Sequence, residues 1–60
     1  MTLARTFELY VCDDAGQRTF EALTCQRADL IRRAREVLEQ KAAAAVEIWE
    51  AGEHLLTLAA

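Results

Sequence analysis

From Thr6 to Cys12 apolar and more polar residues alternate, with Phe7, Leu9 and Val11 on one side, the two-residue period of a strand with one face in a core. Asp13-Asp14-Ala15-Gly16 breaks the alternation, and a four-residue loop ending in glycine suits a hairpin whose last loop residue is left-handed. A second strand is expected from Arg18 to about Cys25. Setting Cys12 opposite Gln17 places Leu9 opposite Phe20 and Phe7 opposite Ala22, which gathers the apolar residues on one side. A loop one residue longer or shorter sets Glu21 beside Leu9, and burial disfavours it.

The period then changes. Between about Gln26 and Lys41 the residues Leu30, Ile31, Ala34, Val37 and Leu38 fall on one stripe of a helix. The opposite face is charged: Asp29 with Arg33, Arg32 with Glu36 and Arg35 with Glu39 are opposite charges four residues apart, each worth about 0.3 kcal/mol on an exposed helix. Thr24 is the expected amino-terminal cap, with Asp29 near the positive end of the helix dipole. Ala42 to Ala45 favour helix and no glycine ends it, so the boundary is placed between Lys41 and Ala44.

Val46 to Leu58 reads as a second hairpin. A three-residue loop Glu50-Ala51-Gly52 pairs Trp49 with Glu53, Ile48 with His54 and Val46 with Leu56, putting Val46, Ile48, Leu56 and Leu58 on one face. A two-residue turn would set Leu56 against Glu47 and is disfavoured. The sum is an α+β fold, ββαββ, a four-stranded sheet with one amphipathic helix on one face. The third strand runs parallel to the second and the fourth parallel to the first. A β-grasp-like order 2-1-4-3 is preferred, because Leu55 to Ala60 is apolar on both faces and suits an inner strand. The alternative order is 2-1-3-4.

Sixty residues make one domain, 1-60, and a chain of this size buries only about 60% of its unfolded surface. Such thin cores are usually reinforced by disulfides, a metal or oligomerisation, and two cysteines with one histidine favour the last. A net charge of -3 argues against general attraction to nucleic acid or anionic lipid. Met1 to Arg5 lacks a basic region followed by an apolar run, and no apolar stretch reaches the ~20 residues of a membrane span. A cytoplasmic location is expected.

Parity assigns Tyr10, Cys12, Leu23, Cys25, Trp49 and Leu55 to the sheet face the helix does not cover. Trp, Tyr and Leu together are the composition of a contact surface, so Trp49, Tyr10, Leu55 and Leu23 are the expected interface.

Chemical motifs are weak. Asp13-Asp14-Ala15-Gly16 with Glu21 lacks the alternating ligands and spacing of a calcium loop and reads as turn chemistry. Arg27, Arg32, Arg33 and Arg35 could hold phosphates, but Asp29, Glu36 and Glu39 interleave with them, so a solvated helix face is preferred. His54 stands without a second ligand near in sequence. Cys12 and Cys25 lie on the order of 25 Å apart in the expected hairpin, too far for a bridge, and are read as free thiols in a reducing compartment. No catalytic, cofactor or metal site is assigned.

The order of elements, with the closing run Val46-Glu47-Ile48-Trp49-Glu50-Ala51-Gly52-Glu53-His54-Leu55-Leu56-Thr57-Leu58, resembles short uncharacterised bacterial proteins of a domain-of-unknown-function type. In these, two hairpins flank a helix rich in Ala, Arg, Glu and Leu. The resemblance implies a fold and no activity. The expected function is a non-enzymatic interaction module that self-associates as a homodimer, or binds an unidentified protein partner, through the open sheet face or an edge strand. Two alternatives are a small enzyme or ligand-binding subunit whose site forms between chains around Cys12, Cys25 or His54, and nucleic-acid contact through the helix arginines.

Overall fold

The structure is a computed structural model and describes residues 3–60; Met1 and Thr2, part of the amino-terminal stretch read above, lie outside the described residues. Four strands and one helix follow in the order β1 (Arg5–Cys12), β2 (Arg18–Cys25), α1 (Leu30–Gln40), β3 (Ala45–Glu50) and β4 (Glu53–Ala59). A single 3-10 turn over Arg27–Asp29 leads into α1. The ββαββ layout with one helix on an open sheet is as the sequence predicts.

The sheet order is β2-β1-β3-β4, and every neighbouring pair is antiparallel. The order is therefore the alternative, and the preferred 2-1-4-3 arrangement is corrected. The centre goes to β3 because both of its faces are occupied. Val46 and Ile48 are fully buried toward the helix, while Glu47 and Trp49 bond each other on the opposite side. Antiparallel pairing of β3 with β1 also gives the slightly stronger ladder. The apolar run of β4 is left on an edge.

The first hairpin closes one residue away from the expected register. Cys12 pairs with Arg18, Tyr10 with Phe20, Leu9 with Glu21 and Phe7 with Leu23. Asp13 decides this: its Oδ1 accepts from the backbone N–H of both Ala15 and Gln17 at 2.9 Å, and its own N–H donates to the Gln17 carbonyl at 3.0 Å. The loop is thus closed at Asp13 and Gln17, with Gly16 left-handed at φ +85°. Glu21 tolerates the helix side because β2 is an edge strand. Its stem lies along the sheet and its carboxylate reaches Lys41 Nζ at 3.6 Å. In consequence Leu23 and Cys25, expected on the open face, are buried in the core, and Phe20, expected in the core, is exposed.

The second hairpin also differs. Ala51 and Gly52 both have positive φ and form the two-residue turn that the sequence reading set aside, pairing Glu50 with Glu53 and Trp49 with His54. A β-bulge beside Ile48 and Trp49 then shifts the register, so that Ile48 pairs with Leu56 and Val46 with Leu58. One extra residue restores the face that the turn alone would have inverted. Leu55 takes up that extra position and packs against the core.

On α1, Leu30, Ala34 and Leu38 are buried and Val37 is partly buried, while Ile31 is half exposed. Arg32 and Glu36 stay exposed, so the helix phase is as read. Thr24 does not cap the helix; it lies in β2 with its hydroxyl 3.1 Å from that of Thr6. The charge pairs are Asp29–Arg32 at 3.3 Å, Arg32–Glu36 at 3.4 Å and Arg33–Glu36 at 3.7 Å. Of the expected pairs only Arg32–Glu36 forms, and among the described residues Arg35 has no ion pair. The helix ends at Gln40, with Ala42 left-handed at φ +50°.

Candidate functional site: the open sheet face

Strand alternation sends Phe7, Leu9, Val11, Val46 and Ile48 to the helix side, so their neighbours along each strand line the face without a helix. Four rings there form a continuous row that crosses the sheet in strand order. Phe20 on β2 lies 5.8 Å from Tyr10 on β1, Tyr10 lies 6.2 Å from Trp49 on β3, and Trp49 lies 5.2 Å from His54 on β4. Tyr10 with Phe20 and Trp49 with His54 are direct cross-strand partners. All three contacts are edge-to-face, and a Phe, Tyr or Trp pair in this geometry is worth about 0.5–1.5 kcal/mol beyond simple burial.

Glu47 ties the row to its neighbours. Its Oε1 accepts from Arg18 Nη2 at 2.7 Å and from Trp49 Nε1 at 3.2 Å. The same Arg18 guanidinium lies 4.7 Å from the centre of the Tyr10 ring, a cation–π arrangement. Cys12 Sγ is 3.8 Å from Glu47 Oε2 and 3.8 Å from the Tyr10 carbonyl. Tyr10 and Trp49 are half-buried by this packing, whereas Phe20 keeps 57% of its surface open.

Of the predicted interface residues, Tyr10 and Trp49 come together here. Leu23 lies in the core on the other side of the sheet, and Leu55 packs against the core at the bulge. Phe20, Arg18, Glu47 and His54 belong to the face and were not singled out as contact residues. Phe20 was missed because it follows from the register set by the Asp13 side chain, and the alternating pattern alone gives no sign of that bond.

The groups that could support covalent or acid–base chemistry are dispersed. His54 Nε2 lies 2.9 Å from the Thr57 hydroxyl at the β4 edge. Cys12 is half-buried on the open face at the end of β1, and Cys25 is buried in the core near the start of β1, opposite Arg5. The two cysteines are free, roughly 23 Å apart along β1 at 3.3 Å per residue. Among the described residues no cluster of three or more His, Cys, Asp or Glu side chains could hold a metal ion.

Two surface depressions flank the carboxyl end of α1, one lined by Asp13, Thr19, Glu21 and Lys41, the other by Arg35, Glu39 and Ala42–Ala44. Among the described residues no helix is long and apolar enough to cross a membrane. What the geometry offers is an open sheet face with a row of aromatic rings and the Arg18–Glu47 pair beside it. Comparison with protein-family models, with curated proteins and with solved structures found no match for this chain.

Proposed function

We propose that the protein is a small non-enzymatic interaction module of the cytoplasm that self-associates through surfaces of its sheet. The observation that carries this reading is the aromatic row Phe20–Tyr10–Trp49–His54 on the face without a helix. Aromatic side chains with an arginine are the groups that dominate contact energies where proteins associate. The thin core of a 60-residue chain adds a motive, since association removes further apolar surface from water. Of the interface set read from the sequence, Tyr10 and Trp49 remain on this face, and Leu55 lies at the adjoining edge.

The dispersal of Cys12, Cys25 and His54 favours contact over catalysis within a single chain. Phosphate contact through the helix is weakened because Arg32 and Arg33 are engaged by Asp29 and Glu36. The test is solution mass by light scattering over a wide concentration range, with Trp49 emission followed in parallel. A mass of at least twice the 6.7 kDa chain is expected as concentration rises. A single-chain mass at every concentration, with Trp49 equally open to quenchers throughout, overturns the proposal.

A further inference from the structure

The core is unfinished on one side. The apolar residues packed against it but only partly buried are Val37, Leu55, Leu56 and Leu58, and three of these four lie on β4. β4 is an outer strand with the composition of an inner one, because Leu55-Leu56-Thr57-Leu58-Ala59-Ala60 contains no charge. The other edge is different in kind. β2 carries Arg18 and Glu21, both engaged in ion pairs, which is how proteins blunt an edge against further pairing.

The outward groups of β4 follow from its ladder. The Ala60 N–H donates to the Ala44 carbonyl at 2.9 Å, and Leu58 and Leu56 pair with Val46 and Ile48 in the same register. Hydrogen-bonded and non-bonded positions alternate along an antiparallel strand, so the N–H and C=O groups of Thr57 and Ala59 point away from β3.

We propose that β4 pairs antiparallel with β4 of a second copy of this chain about a twofold axis at Thr57, joining two four-stranded sheets into one of eight strands. This rests on the reading that the protein self-associates, and it names the surface that does so. With the axis at Thr57, Leu56 lies opposite Leu58 of the partner subunit on the helix side, twice over. Shifting the pairing by one residue sets helix-side leucines against open-face positions and is excluded by the same parity that fixes every sheet register.

Because α1 packs on β3 and β4, the two helices come alongside each other over the new joint and help to cover the leucines of β4. The run fits a second copy of itself in particular. It is apolar against apolar in either direction, opposes no like charges, and the isologous contact closes at two chains.

Three forms decide the matter: the unaltered chain, Thr57→Pro and Thr57→Cys. Proline removes an N–H that faces solvent in the single chain, a substitution an edge strand accepts, and should shift the mass from two chains to the 6.7 kDa of one. Thr57→Cys should form an interchain disulfide between the two introduced thiols when treated with oxidised glutathione, identified by peptide mass and absent from the unaltered chain. If Thr57→Pro fails to fold, that crosslink alone decides. An unaltered dimer whose Thr57→Cys variant forms no such bridge overturns the edge pairing while leaving self-association intact. A monomeric unaltered chain overturns both.

Discussion

Ala43 and Leu38 close the carboxyl end of α1 together. The Ala43 N–H donates to the Leu38 carbonyl at 3.0 Å, and both side chains are buried. With Ala42 N–H bonded to the Glu39 carbonyl at 3.1 Å, this is a Schellman ending, including its apolar contact across the turn. The left-handed residue such an ending requires is Ala42 rather than glycine, and the side chain carries a conformational penalty there.

Ala42→Gly should therefore stabilise the protein. Relief of the left-handed strain, about 1–2 kcal/mol, is partly offset by the extra freedom glycine gains in the unfolded chain. A net gain of about 0.5–1 kcal/mol is expected, seen as a rise of a few degrees in Tm. An unchanged or lower Tm would mean that this ending is not formed in solution.

The same logic applies to the Ala51-Gly52 turn. Both residues have positive φ, +51° and +79°, and asparagine is the better first residue of such a turn. Ala51→Asn should raise stability by a few tenths of a kcal/mol, whereas Gly52→Ala should lower it by about 1 kcal/mol or more. Urea unfolding of the two variants against the unaltered chain reads both signs.

Leu38 and Ile31 were read as equivalent members of one stripe, but they are 5% and 50% exposed. Leu38→Ala should cost about 2–5 kcal/mol, a large part of the stability of a domain this small. Ile31→Ala should cost under about 1 kcal/mol. Equal losses at the two sites would contradict the observed packing of the helix.

Thiol chemistry offers an independent check on the first hairpin. Cys12 is half-buried and Cys25 is 6% exposed, so a thiol reagent should label one group per folded chain promptly and the second only as fast as the core opens. Two groups should react at once in denaturant. Equal rates in the folded protein would place Cys25 on the open face, in the register that the Asp13 hydrogen bonds exclude.

The helix stripe and the four leucine, valine and isoleucine positions of the second hairpin were legible because burial punishes any other phase. The first hairpin was less so. There the decisive terms are local bonds from Asp13 and the ability of Glu21 to lie along a sheet edge with its charge at Lys41, and neither leaves a periodic trace. Strand order failed for a related reason. The apolar run Leu55–Ala60 suits an inner strand, yet β4 takes an edge with Leu55, Leu56 and Leu58 only partly buried, because the pattern of a strand carries no record of which neighbours it will pair with.

The all-antiparallel order also bears on how the chain reaches this structure. Both hairpins join neighbours in sequence and form locally, on microsecond timescales. Among the described residues the strand pairing with the longest intervening chain is β1 with β3, where Leu9 meets Ile48 across about forty residues. Loop-closure entropy is concentrated in that pairing. Truncating Leu9 or Ile48 should slow folding, while truncating Leu23 or Leu56, on the outer strands, should chiefly hasten unfolding.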